Sequence, residues 1–238
     1  MVYKIELQNI LFLDIETVPI HQSWDKVSTV EKELFKLKTK YRQKDGLSPE
    51  HLYKSAGIWA EFGKIICISV AYFYLKDKER QLRVTSFYGD DEKEILLDFK
   101  QLIEKHFCFK KHILCAHNGK EFDFPFIARR MIMRQIILPN KLSLFGKKPW
   151  EVEHLDTLDL WKFGDYKHYT SLNLLAYVLG VPSPKEDIDG SQIAEVYYRQ
   201  KDIGKIVEYC ERDTVTVAQI ILRLRGLALI EEKYIVKV

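Results

Sequence analysis

The first candidate for chemistry is a pair of carboxylates that closes an apolar run near the start of the sequence. Asp14 and Glu16 end a short run that predicts a strand over Ile10–Ile15, buried on both faces. Residues two apart on a strand point to the same face, so both carboxylates leave it together. They are costly to desolvate there unless a cation neutralises them, so on these residues alone a functional site and an ordinary charged strand end are equally open. The same spacing recurs in two places that charged turns explain: Asp77/Glu79 and Asp90/Glu92.

A second acid, Asp123, lies between a predicted strand and a predicted helix. It belongs to the stretch His117-Asn118-Gly119-Lys120-Glu121-Phe122-Asp123-Phe124-Pro125. An Asp at this place commonly caps the N-terminus of a helix, and Pro125 fits the first helical turn. Asn118-Gly119 is equally typical of a turn. On these residues alone, the capping role is favoured.

A third group lies in the predicted C-terminal helix. Tyr209 and Asp213 are four residues apart, so the phenol and the carboxylate share one helical face. They border an apolar stripe that should place them at the edge of the core. The stripe consists of Ile206, Cys210, Thr214 and Val217.

Taken together, these groups predict a metal site. Asp14, Glu16, Asp123 and Asp213 follow in order on a strand end, a helix start and an inward helix face. Four converging carboxylates repel one another unless cations lie between them, and hard ions such as Mg²⁺ or Mn²⁺ suit oxygen ligands. Two such ions about 4 Å apart can stabilise the attacking and leaving oxygens of a phosphodiester during in-line displacement.

The remaining pattern predicts a mixed α/β sheet with helices on both faces. Besides Ile10–Ile15, the predicted strands are 64–74, 82–88, Ile113–Ala116 and His154–Leu158. The predicted helices are Asp91–His106, Asp123–Gln135, 171–179, 191–199 and 203–224. Asp156 and Asp159 follow the last strand, where they either support the acidic site or simply form a turn.

One segment departs from this alternation. Residues from about 20 to 62 are predicted to form a basic, helical surface insertion in a single domain that spans residues 1–238. Its cations could contact the phosphates of single-stranded nucleic acid, although a solvated charged helix explains them slightly better. They are Lys32, Lys36, Lys38, Lys40, Arg42 and Lys44.

Composition narrows the class of protein further. The 238 residues are 47% hydrophobic and 30% charged, which excludes wholesale disorder. The net charge of +3 is too small to identify a nucleic-acid binder by itself. The four cysteines are far apart, so a zinc site is not expected. Asp14 and Glu16 interrupt the apolar N-terminal stretch well short of a membrane span, so we expect a cytoplasmic protein without a membrane partner.

Three motifs carry a family resemblance. The sequences LFLDIETVP, AHNGKEFDFPFI and YCERD resemble the three motifs of the DEDDy 3′–5′ exonucleases, especially the proofreading domains of family-B DNA polymerases. The motifs extend in order from Asp14 to Asp213, nearly the whole sequence. The resemblance implies a ribonuclease H-like fold, with a mixed five-stranded sheet flanked by helices, and a stand-alone relative without a polymerase domain.

The resemblance also implies residue roles. Asp14, Glu16, Asp123 and Asp213 would hold two metal ions, Mg²⁺ or Mn²⁺. Tyr209 would orient the attacking water, because an ordinary phenol is a poor base at neutral pH. The Thr17 backbone and the Asn118 side chain would contact the terminal nucleotide.

The expected activity is two-metal-dependent 3′–5′ hydrolysis of single-stranded DNA, with release of 5′-mononucleotides. DNA is favoured over RNA, but an exoribonuclease is an open alternative because the same fold and carboxylates serve both polymers. A catalytically silent nucleic-acid-binding accessory subunit is a third possibility. The intact carboxylate set argues against the third.

Overall fold

The computed structural model describes residues 2–43, 46–76, 79–165, 169–182 and 188–238, and Lys44 of the basic segment lies outside them. A six-stranded sheet forms the centre of the molecule, in the order β5-β4-β1-β2-β3-β6. Its strands are β1 Ile10–Pro19, β2 Gly63–Lys76, β3 Glu79–Tyr88, β4 Ile113–Ala116, β5 Leu155–Asp156 and β6 Ile235–Lys237.

Helices cover both faces of this sheet. They are α1 Thr29–Gln43, α2 Pro49–Tyr53, α3 Glu92–His106, α4 Asp123–Met133, α5 Thr157–Lys162, α6 Leu172–Val178, α7 Ile193–Glu195 and α8 Ile203–Leu224. A π-helical stretch, Val196–Gln200, follows α7. Within the described ranges, no helix is both long enough and apolar enough to cross a membrane.

The predicted mixed α/β sheet is confirmed, but its strand count differs by one. β1, β2 and β3 are antiparallel neighbours, whereas β4 is parallel to β1, β5 to β4 and β6 to β3. The sixth strand is β6, only three residues long in a charged C-terminal stretch, and such a strand carries too little periodicity to predict. β5 is shorter than expected because the Asp156 carboxylate accepts the Leu158 N–H and starts α5.

The first strand explains why both faces of the sheet are buried. Leu11, Leu13 and Ile15 pack into the core beneath α3 and α4. Ile10 and Phe12 point to the opposite face and pack with residues of α8. The apolar run therefore alternates between two cores, as expected for a central strand.

The segment between β1 and β2 contains α1, α2 and a small core of its own. Phe35 is fully buried there, with its ring 5.1–5.7 Å from those of four other aromatic residues, Trp24, Tyr53, Trp59 and Phe62. The Thr17 hydroxyl donates to the Gly57 carbonyl at 2.9 Å, which ties this segment to β1. A Cβ on Gly57 would lie 3.2 Å from the backbone of Val18, so glycine permits this close approach.

A buried ion pair joins helices α3 and α4 to strand β2. The Glu92 carboxylate accepts from Arg130 Nε at 2.7 Å and Nη2 at 2.6 Å, and from the Ile65 N–H at 2.8 Å. Burial opposes ionisation of Glu92, but the hydrogen bonds and charge of Arg130 outweigh it and lower the pKa of Glu92. The interpretation of Glu92 as part of a charged turn is therefore wrong, because the side chain joins α3, α4 and β2.

Replacing Glu92 tests this joint. Glu92→Gln should lower the free energy of unfolding by about 3–5 kcal/mol, because Arg130 would remain buried without an ionised partner. Glu94→Gln, on an exposed position two residues further along α3, should change it by less than about 1 kcal/mol. Urea-induced unfolding at pH 7 measures both, and similar effects of the two variants would contradict the structural role of Glu92.

Candidate active site

The carboxylates of β1 lie where this strand extends beyond its neighbour β4. β4 pairs with β1 only over Ile10–Phe12, whereas β1 continues to Pro19 along β2. Asp14 and Glu16 therefore border the carboxyl end of β4, on the face that α8 covers. A register shift between Glu16 and Thr17 interrupts the pairing with β2 at the same place, and such irregularities bend a strand and redirect its side chains.

Helix α8 contributes a thiol and a carboxylate to the same region. The Cys210 thiol donates to the carbonyl oxygen and to Oδ2 of Asp14, each at 3.4 Å. Ligand atoms of Asp14, Glu16 and Cys210 all lie within 4.8 Å of one another. Asp213 is half-buried one turn further along α8, and its negative charge contributes to raising the pKa of both Asp14 and Glu16.

Helix α4 contributes the remaining carboxylate, that of Asp123. It is the first residue of α4 and is only 2% exposed, and the N-cap position of α4 is held by Phe122, so the capping prediction is wrong. Among the described residues, Asp123 Oδ1 is a buried oxygen without a hydrogen-bond partner. Burial, together with the charge of Asp156, raises the pKa of Asp123 to about 8 despite backbone hydrogen bonds that lower it.

Asp14 and Glu16 lie together, and Asp123 and Asp213 lie near enough for their charges to act on both. Burial raises the pKa of Asp14 well above its usual value, and the charges of Glu16, Asp123 and Asp213 raise it further. Burial is also the largest cause of the raised pKa of Glu16, followed by the charge of Asp213. In the absence of cations, burial and neighbouring charge therefore both oppose ionisation of Asp14 and Glu16.

The loop that carries Asn118 is shaped by Asp156. Asn118 has a left-handed backbone (φ 60°), and its N–H and that of Lys120 donate to the Asp156 carboxylate at 2.9 and 3.1 Å. A Cβ on Gly119 would lie 2.5 Å from that of Ala116, so this turn requires glycine. Asp156 therefore fulfils both predicted alternatives, because it supports the site loop and also caps α5.

Tyr209 and Thr17 lie beside the acidic group. Tyr209 is 9% exposed and belongs to the buried cluster that contains Val18, Cys67 and Cys210. Thr17 is half-buried next to Glu16, with its hydroxyl bonded to Gly57. The contact of Cys210 with Asp14 was not predicted from the sequence. The place of Cys210 next to Tyr209 in the apolar stripe indicated burial, but spacing along one helix does not reveal a contact with another element.

The sequence matches a known protein family over most of its length. The family model described as "Predicted 3'-5' exonuclease related to the exonuclease domain of PolB" matches residues 58–234. The chain belongs to this family. The matched region contains Asn118, Asp123, Tyr209 and Asp213, and it begins after β1. The predicted resemblance to PolB exonucleases is confirmed, and the chain is an enzyme of the 3′–5′ exonuclease class.

The chain is similar to parts of two larger DNA polymerases. The DNA-directed DNA polymerase of Enterobacteria phage PRD1 is 27% identical over 135 residues, which are 57% of this chain and 20% of the polymerase. The structure of the family B DNA polymerase from the hyperthermophilic archaeon Pyrobaculum calidifontis aligns with a TM-score of 0.53 and 13% identity, over 91% of this chain and 26% of that chain. The structural likeness supports the ribonuclease H-like exonuclease fold. This family member spans about a quarter or less of either polymerase.

The donor set of this PolB-type exonuclease fits a hard divalent cation. Carboxylate oxygens are the ligands that Mg²⁺ and Mn²⁺ prefer, and the unpartnered Asp123 Oδ1 is an oxygen that a cation would satisfy. Burial raises the pKa of the Cys210 thiol, so its sulfur stays protonated and acts as a donor to Asp14. A protonated thiol does not ligate soft metals.

The raised pKa of Asp123 predicts how the free energy of unfolding of the metal-free protein depends on pH. Asp123 ionises near pH 4 in the unfolded chain but near pH 8 in the fold, so the folded state binds more protons between these values and stability falls as the pH rises. Asp123→Asn removes this loss. In EDTA, its stability advantage over wild type should grow by about 1–3 kcal/mol from pH 5 to pH 8.

Chemical unfolding at the two pH values measures this effect. Asp98→Asn is the control, because Asp98 is exposed on α3 and should show the same small difference at both. A pH-independent difference for Asp123→Asn would show that Asp123 ionises normally in the fold.

Proposed function

We propose that this chain is a two-metal-dependent exonuclease that removes 5′-mononucleotides from the 3′ end of single-stranded DNA. One observation supports the proposal: the charges of Asp123 on α4 and Asp213 on α8 act on Asp14 and Glu16 of β1, and the buried oxygen Asp123 Oδ1 has no partner among the described residues. A fold gains no stability from such a group, so a role in binding cations explains why it persists.

In this proposal, Asp14, Glu16, Asp123 and Asp213 hold the two ions, either Mg²⁺ or Mn²⁺. When bound, these ions would stabilise the negative charge on the attacking and leaving oxygens of the phosphodiester. The Cys210 thiol orients the Asp14 carboxylate through its 3.4 Å contact with Oδ2. The low hydration of the site strengthens each of these electrostatic interactions.

Tyr209 positions the attacking water instead of deprotonating it. A phenol with a pKa near 10 remains protonated at neutral pH, so it can donate or accept a hydrogen bond but is a weak base. Its place one turn before Asp213 on α8 suits a group that acts beside the ions. The Thr17 backbone and the Asn118 side chain are the proposed contacts for the terminal nucleotide.

DNA is the proposed substrate because the PRD1 relative is named as a DNA polymerase. An exoribonuclease is the second candidate, since the carboxylates act on the phosphodiester, which DNA and RNA share. A silent accessory subunit is less favoured because all four acids are present. Matched DNA and RNA oligonucleotides, labelled at the 5′ or the 3′ end, distinguish the three functions when incubated with Mg²⁺ or Mn²⁺.

The expected pattern is a ladder from the 5′-labelled strand and immediate release of labelled mononucleotide from the 3′-labelled strand, with DNA degraded faster than RNA. EDTA should abolish both. Faster degradation of RNA would favour the exoribonuclease, and metal-independent binding without turnover would favour the accessory subunit.

Removing one carboxylate tests the site assignment. Asp14→Asn and Asp213→Asn should each reduce the rate by about two or more orders of magnitude while the protein stays folded, because the ions lose a ligand that they need in the transition state. Asp98→Asn, the exposed control on α3, should retain the wild-type rate. Wild-type turnover by Asp14→Asn would refute the assignment.

Tyr209→Phe should have a milder effect. The substitution keeps the buried ring and removes only the hydroxyl, so kcat should fall by about tenfold with little change in KM, as expected when a group contributes orientation. Tyr177→Phe, which alters a tyrosine that is 82% exposed on α6, is the matched control. A loss as large as that of Asp14→Asn would instead make Tyr209 indispensable for proton transfer.

A further inference from the structure

Helix α1 carries an apolar stripe that no part of the described structure covers. Val30, Leu34, Leu37 and Tyr41 are between 54% and 69% exposed. The intervals between them are four, three and four residues, which is the spacing of the seam of a coiled coil over two heptads. On the opposite face of the helix, Phe35 is fully buried in the aromatic core of the segment. Helix α1 is therefore apolar on two faces, of which only one has a partner.

The charges that border this stripe are divided along the helix. Glu31 and Glu33 flank its N-terminal half, whereas Lys38 and Lys40 flank its C-terminal half. In heptad terms, these four residues occupy the positions on either side of the seam, where interhelical ion pairs determine partner and orientation. The stripe is thus acidic at one end and basic at the other.

We propose that this face of α1 pairs with the same face of α1 in a second copy of the chain, in an antiparallel arrangement about a two-fold axis. The axis passes between Phe35 and Lys36 in the sequence. Leu34 then packs against Leu37 of the second copy, and Val30 packs against its Tyr41. A two-fold interface uses the same patch on both copies, so the patch must be complementary to itself. The stripe meets this condition because its centre is apolar and its two ends carry opposite charges.

Charge complementarity selects this arrangement. Antiparallel pairing places Glu33 beside Lys40 of the second copy and Glu31 beside its Lys38, and the symmetry repeats both pairs. Of these four charges, parallel pairing matches only Glu33 with Lys38 of the second copy, which gives two ion pairs instead of four, and it also aligns the two helix dipoles unfavourably. Within the chain, Glu33 pairs with Lys36 at 2.8 Å and Lys38 with Glu61 at 3.1 Å, but exposed pairs of this kind are weak and can exchange.

The same details argue against nucleic acid as the occupant of this face. Lys32 lies over the ring of Trp24, and Arg42 lies over the rings of both Trp59 and Tyr41, so both cations are held by ring contacts within the chain. The centre of the exposed face is aliphatic, whereas single-stranded nucleic acid requires aromatic platforms for its bases. Two heptads form a small interface, so the expected dimer is weak and concentration-dependent.

Sedimentation of the full chain over a concentration series tests the proposal. Wild type should shift from monomer to dimer between about 1 and 200 µM, the range in which a small interface dissociates. Leu37→Glu should remain monomeric throughout without a change in thermal stability, because Leu37 is exposed in the monomer. Leu97→Glu, at an exposed leucine of α3, should dimerise like wild type. A monomeric wild type, or a Leu37→Glu variant that still dimerises, would overturn the proposal.

Charge exchange tests the orientation. Glu33→Lys and Lys40→Glu should each weaken the dimer about tenfold, because each places two like charges side by side. The double variant should restore the wild-type dissociation constant, since it exchanges the partners of every pair. Restoration of Glu33→Lys by Lys38→Glu instead would indicate a parallel dimer and overturn the antiparallel arrangement. Because none of these residues belongs to the acidic site, the outcome is independent of the nuclease assay.

Discussion

The burial of Asp14, Glu16 and Asp123 beside other negative charges is the constraint on which the rest of the structure depends. Each of these carboxylates would ionise readily in water, but burial raises the pKa of all three, and the charge of Asp213 adds to the shifts of Asp14 and Glu16. The fold must therefore hold like charges together against their tendency to separate. It does so by placing them on three elements that are each fixed independently, so that no single side chain can relieve the repulsion by moving away.

The supporting contacts act on the backbones that carry the carboxylates. The pair of Glu92 with Arg130 holds α4, whose first residue is Asp123, against β2 and the start of α3. Asp156 secures the turn before α4 through the N–H groups of Asn118 and Lys120. The thiol of Cys210 links α8 to Asp14 on β1. These stabilising contacts thus involve residues next to the acids, or residues on neighbouring elements, and of the carboxylate oxygens of the site they use only Asp14 Oδ2.

The sequence predicted the parts of this arrangement that local patterns encode. The D-x-E pair, the NGKEFD turn and the Tyr-Cys-x-x-Asp stretch each indicated one element, and their order indicated the family. Sequence could not predict that Phe122 takes the N-cap position and Asp123 the first helical turn, because a helix start at either residue fits the same pattern. Glu92 was assigned to a charged turn for a similar reason: its partner, Arg130, is 38 residues away. The strand β6 and the aromatic core around Phe35 likewise depend on pairings that become visible only in three dimensions.

The central claim is that the acidic site binds divalent cations and that, without them, burial raises the pKa of its carboxyl groups. Isothermal titration with Mn²⁺ near pH 7, in two buffers of different protonation enthalpy, measures the protons released on binding. The account predicts release of about one proton or more per protein, an affinity that increases with pH, and the loss of both in Asp14→Asn. Binding without proton release and with a pH-independent affinity, or no saturable binding at all, would contradict it.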